Sequence, residues 1–247
     1  MCRSALLSFL MCTLGAAAAR AQAPAPPPVP KIWTVAASAG LALTDGNTDT
    51  STVNAAYDIT YDPQRRNIVK SDALLIRGKT EGELSADRFG LNVRDEYKLT
   101  PKFFVFGQNQ YLRDEFKDID YLIAPAGGVG YKIFDTARTK FSVDGGLGSV
   151  WEKNAAGIVD TSAALVASER IAHALTTATT LTQTFSGLWK TEDLEDTLII
   201  FGAGVAAAMS ARTQLKFEFL DTFKNKPTDP KFEKNDIALL MAIVYKM

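Results

Sequence analysis

Cysteine is nearly missing from this chain, with two in 247 residues, and both, Cys2 and Cys12, lie within the first twelve positions. If that segment is removed, no disulfide framework and no thiol chemistry remains. Histidine is reduced to His173, so a serine- or aspartate-based hydrolase would have to build its base from that one residue. Neither sign of charge dominates, since 27 basic and 28 acidic residues give a formal net charge of -1. A phosphate-binding surface usually needs a basic excess or stripe, so nucleic acid is not an expected partner. Past the N-terminus there is no run of about 18 apolar residues for a membrane helix. That absence leaves membrane strands open, because they alternate apolar and polar residues.

The N-terminus places Arg3 before a short apolar stretch and Ala19-Arg20-Ala21 after it, the pattern of a cleaved secretory signal. Residues 1–21 are therefore expected to be a signal peptide. Its loss would take Arg3 and Arg20 away and bring the net charge to -3. Residues 22–32, beginning "QAPAPPPVPK", hold half of the chain's 10 prolines and read as an extended periplasmic linker. A barrel domain is expected over residues 33–247.

From Trp33 onward, about twelve segments of roughly 10 to 14 residues alternate with period two. In "DRFGLNVRDEYKL", Phe89, Leu91 and Val93 alternate with Arg88, Asn92, Arg94 and Glu96. In "TQLKFEFLDTFK", Leu215, Phe217 and Phe219 alternate with Lys216 and Glu218. The segment "DTSAALVASERIA" has weaker β character, and its part from Ala163 reads equally as a short helix. Joins after even-numbered segments are short, such as "TPK" and "AR"; those after odd-numbered ones are longer and polar, such as "TEGELSAD" and "NKPTDPKFEK". Soluble strands average about five or six residues, whereas a tilted membrane strand needs about 9 to 11.

Aromatics gather at both expected ends. Trp33, Tyr61, Tyr97, Phe103, Tyr131, Phe141 and Tyr245 mark one, and Phe89, Phe116, Tyr121, Trp151, Trp189 and Phe223 the other. Two such girdles suit a membrane's interfaces. The expected fold is all-β: a transmembrane antiparallel up-and-down β-barrel of about 12 strands, in the bacterial outer membrane. A soluble secreted β-sandwich is the structural rival.

Candidate chemistry is sparse. Asp45, Asn47 and Asp49 in "LALTDGNTDTST" have the spacing of early calcium ligands, but Thr50 and Ala56 stand where an EF-type loop wants Gly and Glu, so a tight turn at Asp45-Gly46 is favoured. His173 falls in "AHAL", read as a turn. Asp114-Glu115 and Glu192-Asp193 read as solvated loop or strand ends. The "GGVG" and "GGLG" clusters lack the context of a phosphate loop and suit strand curvature or close packing. No catalytic residue, metal ligand or cofactor is expected. Arg88, Asn92, Arg94, Glu96, Lys216 and Glu218 are the candidates to line a lumen, which twelve strands would leave narrow or filled by paired charges. A selective channel for small charged or polar solutes is the alternative function, and a membrane-embedded hydrolase a weaker one.

"GLALTDGNTDTSTVN", "ADRFGLNVRDEYKLTPKFFVFG", "GGVGYKIFDTARTKFSVDGGLG" and "SERIAHALTTATTLTQTF" together resemble the YdiY-like family of salt-induced outer membrane proteins, otherwise of unknown function. The resemblance implies an outer-membrane barrel of a Gram-negative-type envelope and a link to salt or osmotic stress. It supplies no substrate and no catalytic residue. Partners expected on this reading are outer-membrane lipid and lipopolysaccharide, the barrel assembly machinery during biogenesis, and at most a small solute. One departure is the chain's end: outer-membrane barrels commonly finish on an aromatic residue, whereas here Tyr245 and Met247 close the alternating segment.

Overall fold

The computed structural model describes residues 31–44, 50–227 and 233–247. The expected signal and most of the linker lie outside them, as does the Asp45–Asp49 stretch on which the calcium and turn readings were weighed. The described residues form twelve strands: β1 (Trp33–Thr44), β2 (Thr50–Tyr61), β3 (Asn67–Thr80), β4 (Glu83–Lys98), β5 (Phe103–Asp114), β6 (Ile119–Asp135), β7 (Thr139–Lys153), β8 (Val159–Ala174), β9 (Thr179–Lys190), β10 (Thr197–Ala208), β11 (Thr213–Lys224) and β12 (Asn235–Lys246). Each pairs antiparallel with its sequence neighbours, and β1 pairs with β12, closing an up-and-down barrel. Closure leaves no full sheet edge exposed, which is the condition for β structure inside a bilayer.

Residue parity sets the two faces. The register joins Trp33 to Tyr61, Tyr97 to Val105 and Leu215 to Ile243, so odd-numbered positions share one face nearly all the way round. That face carries the exposed apolar side chains, with Leu239 at 80% and Leu147 at 67% exposure. Even-numbered positions hold most of the buried residues and most of the strand charges. A bulge between Lys132 and Phe134 shifts the parity locally, placing Phe134 beside Phe141 on the outer face.

Four strands run longer than the 10 to 14 residues expected, reaching 17 in β6. Part of this length comes from a misread loop. The segment "TEGELSAD", expected as a long connection, is almost all strand, with a turn only at Glu81 and Gly82. Both have positive φ, 52° and 83°, as a two-residue type I′ hairpin requires. The "DRF" segment therefore starts earlier than expected, and Phe89 lies within β4 rather than at its start. β8, the segment that also read as a helix, is a 16-residue strand. Pairing with β7 and β9 overrides its alanine-rich propensity.

The remaining connections fall into two sets. One end of the barrel has turns of three to five residues, and the other has connections of two to ten. At the short-turn end one pattern repeats: the last residue of a turn accepts a backbone hydrogen bond from the strand two further on, as in Lys98 N to Arg66 O, Lys132 N to Lys102 O and Lys246 N to Arg212 O, each 2.8 Å. The same turns place bases beside tyrosines. Arg66 donates to the Tyr97 hydroxyl at 3.3 Å, Arg212 to that of Tyr245 at 3.4 Å, and Lys102 lies over the Tyr131 ring. With Trp33 packed on Tyr61 at 4.6 Å, these form an amphipathic collar of the type that sits at a membrane–water boundary. Both barrel termini belong to this end, where Ala36 pairs with Lys246.

Candidate functional site, the barrel interior

The inner face is stacked in three layers, beginning with a charged hub near the short-turn end. Arg94 on β4 is 4% exposed. Its Nε donates to Glu96 at 2.9 Å, Nη1 to Gln108 on β5 at 2.7 Å, and Nη2 to Asp144 on β7 at 2.9 Å. Strands β4 and β7 are three places apart in the wall, so this contact passes through the interior. The guanidinium also lies 3.8 Å from the Phe106 ring centroid. Arg170 on β8 adds a second donor to Asp144 at 3.0 Å, and Lys70 on β3 donates to Glu96 at 2.8 Å. One planar fork thus links three partners, a geometry that lysine cannot reproduce.

Glycines flank that crossing on β6 and β7. Gly128 on β6 faces Gly146 on β7, and a Cβ on either would fall within 2.3 Å of a carbonyl oxygen of the other strand. A Cβ on Gly130 would meet the Phe104 ring at 2.2 Å. The "GGVG" and "GGLG" clusters therefore bring β6 and β7 close together, and Gly130 leaves the space that the Phe104 ring occupies.

Above the hub the filling is apolar. Leu112, Ile119, Leu122, Val150, Leu188 and Leu198, from β5, β6, β7, β9 and β10, form one buried cluster. Ile76, Leu220 and Leu240, from β3, β11 and β12, form a second. These side chains occupy inner positions in the half of the barrel nearer the longer connections, where a water-filled pore would need polar groups.

The third layer is charged again and lies beneath those connections. Glu152 on β7 pairs with Lys224 on β11, four strands away, and with Lys190 on β9 at 3.1 Å. Lys190 also reaches Asp160 at 2.6 Å and Asp196 at 2.7 Å. A 3-10 turn over Glu115–Lys117 follows β5, and its Lys117 is fully buried. The Lys117 ammonium donates to the Glu233 carbonyl at 2.7 Å and pairs with Asp236 at 3.0 Å. This turn pins the β5–β6 connection to the start of β12. Arg88 donates to Thr222 and faces Asp114 at 3.6 Å. Asp114 had read as part of a solvated acidic pair, but it is 4% exposed and belongs to this layer.

The six candidate positions are dispersed among these layers. Arg94 and Glu96 meet in the hub, whereas Arg88 sits in the upper layer. Asn92 donates to Asp72 at 2.8 Å, and Lys216 pairs with its own strand neighbour Glu218 at 2.7 Å. Asp144, Arg170, Lys117, Glu152, Lys190 and Lys224 were not singled out in the sequence. All but Lys117 share the even parity of the buried set, which was the available signal, but several stand at strand ends where charge reads as loop boundary. His173 is a correction as well: it lies within β8, not in a turn, and its Nδ1 is 2.8 Å from the Thr139 hydroxyl oxygen. Among the described residues, no group of three or more His, Cys, Asp or Glu side chains is arranged to hold a metal.

Comparison with known proteins adds a family and a fold. The family model described as "Protein of unknown function, DUF481" matches residues 37–247. Among solved structures, an outer membrane channel from Pseudomonas putida F1 is similar with a TM-score of 0.51 and 12% identity, covering 89% of this chain and 97% of that one. The NanC porin is similar with a TM-score of 0.49 and 8% identity, covering 86% of this chain and 96% of that one. No curated protein sequence matches. At these identities the likeness is one of fold, and the fold is the outer-membrane type of closed antiparallel barrel.

Proposed function

We propose the following for this chain, which belongs to the DUF481 family of proteins of unknown function: it is a non-enzymatic barrel of the bacterial outer membrane whose interior is closed by its own side chains. The observation that carries this is the apolar layer. Leu112, Leu122, Val150 and Leu188 are each at most 4% exposed on inner positions, with Lys117 and the Glu152–Lys190–Lys224 cluster packed above them. Twelve strands enclose less space than the 16 or more of open porins, and these side chains take up much of its upper half.

On this reading the short turns face the periplasm and the longer connections face outward, as in other outer-membrane barrels. Residues 1–21 are cleaved on export, and residues 22–32 form a periplasmic linker. The odd-numbered face meets lipid and lipopolysaccharide, and the assembly machinery inserts the barrel. Induction by salt or osmotic stress, which the YdiY-like resemblance implies, fits a protein that adds wall material without adding a large pore. Planar-bilayer recording on the mature chain tests the closure: we expect no conductance of general-porin size, and such a conductance would overturn the reading.

One observation favours a second reading. In the short-turn half, the side chains of Lys70, Arg170 and Lys216 remain between 32% and 39% exposed on inner positions. That half of the interior is wetted and carries both signs of charge, as a selective path for small charged or polar solutes would be. Small, discrete, ion-selective currents would favour this reading over the closed one.

A further inference from the structure

Beside the upper charged layer lies a cavity of about 230 Å³, between β11 and β12 on one side and β3, β4 and β5 on the other. Its walls are part apolar, from Ile76, Phe116, Leu220 and Ala238, and part polar, from Arg88, Asp114 and Thr222. A dry apolar cavity of about 150 Å³ can hold benzene, so this one has room for a single ring or a chain of comparable size with a substituent.

The polar end carries unused hydrogen-bonding capacity. Arg88 uses Nη1 on Thr222, and its Nη1–Asp114 Oδ2 separation of 3.6 Å is too long for a hydrogen bond. Asp114 Oδ1 accepts from the Phe116 backbone, while Oδ2 has no hydrogen-bond donor among the described residues. Among the described residues the Arg88 guanidinium thus has donors to spare next to an open acceptor on Asp114 Oδ2, and one polar group lying beside the pair can accept from the first and donate to the second.

Charge decides what that group is. Arg88 is balanced by Asp114, Lys117 by Asp236 and Arg113 by Asp87, so the site is neutral before anything enters. A charged ligand would bring an uncompensated charge among groups that are already paired and partly removed from water, which is unfavourable. A hydroxyl has one donor and two acceptor lone pairs and brings no charge.

We propose that this cavity is a binding site for one small uncharged amphiphile, with an apolar body and a hydroxyl-type group seated against Arg88 and Asp114. Such a molecule partitions into membranes, and the wall offers it a route. Among the described residues, pairing between β1 and β12 runs from Ala36 with Lys246 to Ala39 with Ile243, although β12 continues to Asn235. The cavity touches Ile237, an outward position on β12 beyond the point where that pairing stops. The site does not depend on whether the barrel conducts.

Fluorine NMR on the mature barrel in lipid nanodiscs tests the site. The probes are 4-fluorophenol, its apolar counterpart 4-fluorotoluene, and the charged 4-fluorobenzoate and 4-fluorobenzylamine. We expect saturable binding of 4-fluorophenol and at least tenfold weaker binding of the other three. Leu220→Trp, which fills the cavity, should abolish the signal. If that variant fails to show a heat-modifiable folded form, Ala238→Phe fills the same space from β12 and should do likewise. No saturable binding to the native barrel, binding undiminished in a folded cavity-filled variant, or equal binding of a charged or purely apolar probe would overturn the proposal.

Discussion

Replacing Arg94 by alanine removes a side chain that ties β4, β5 and β7 together through the interior. Breaking a buried ion pair costs about 3–5 kcal/mol when it strands the partner charge. Here neither acid is left bare: Glu96 keeps Lys70 at 2.8 Å, and Asp144 keeps Arg170 at 3.0 Å. The loss should therefore lie near the lower end, about 3 kcal/mol, including the stacking on Phe106, which by itself is worth up to about 2 kcal/mol when desolvated. Arg94→Lys keeps the charge but not the fork, so it should recover less than half of that. The assay is equilibrium urea unfolding in lipid vesicles, followed by heat-modifiable gel migration. Crossing Arg94→Met with Asp144→Leu in a double-mutant cycle isolates the contact across the interior, with a coupling of about 1–3 kcal/mol expected. An Arg94→Ala effect under about 0.5 kcal/mol, the size of a surface substitution, or a coupling of zero would refute the bridge.

Truncating the apolar layer with Leu122→Ala and Leu188→Ala together should raise single-channel conductance above that of the native barrel and lower its unfolding temperature, since each Leu→Ala costs about 2–5 kcal/mol in a packed interior; unchanged current in a folded double variant would mean that the closure lies elsewhere. Gly146→Val should abolish the folded, heat-modifiable form, because its Cβ would fall 2.3 Å from the Gly127 carbonyl oxygen, and normal folding would contradict the close β6–β7 approach. If the mature chain begins after residue 21 it contains no cysteine, so Leu239→Cys can be labelled alone: a membrane-soluble maleimide should modify it and an impermeant one should not, the reverse selectivity placing the odd-numbered face in water. In the β9–β10 connection, the hydrogen bond from Lys226 holds the Asp193 carboxyl below the usual carboxylate range. A depressed value means that this contact contributes above the unfolded value, near pH 4, and is lost as pH falls through the folded one; Lys226→Ala should move the Asp193 midpoint upward in a carboxyl-carbon NMR titration, and a midpoint that stays put would refute the contact.

Alternation with period two is a local property of the chain, and so the strand count, the antiparallel order and the apolar outer face were all legible along it. Phe217 and Phe219 between Lys216 and Glu218 are enough to divide β11 into two faces, because successive side chains of a strand must point opposite ways. Turn chemistry was less legible. "TEGELSAD" is polar throughout, and only cross-strand pairing with β3 decides that most of it is strand around Glu81-Gly82. In β8, likewise, propensity left helix and strand level until two neighbouring strands supplied hydrogen bonds.

The interior was a matter for tertiary structure alone. Which even-numbered charge meets which depends on how the closed wall carries strands to opposite sides, and those partners lie far apart in sequence. Lys224 finds Glu152 72 residues away, and Arg94 finds Asp144 50 residues away. The sequence by itself determined that charges share the inner face. Closure decided that some of them cross it, that leucines take inner positions in the half above them, and that a cavity remains beside Arg88 and Asp114. The physical reason is that a side chain's face follows from its own strand, while its partner follows from the register and curvature of all twelve.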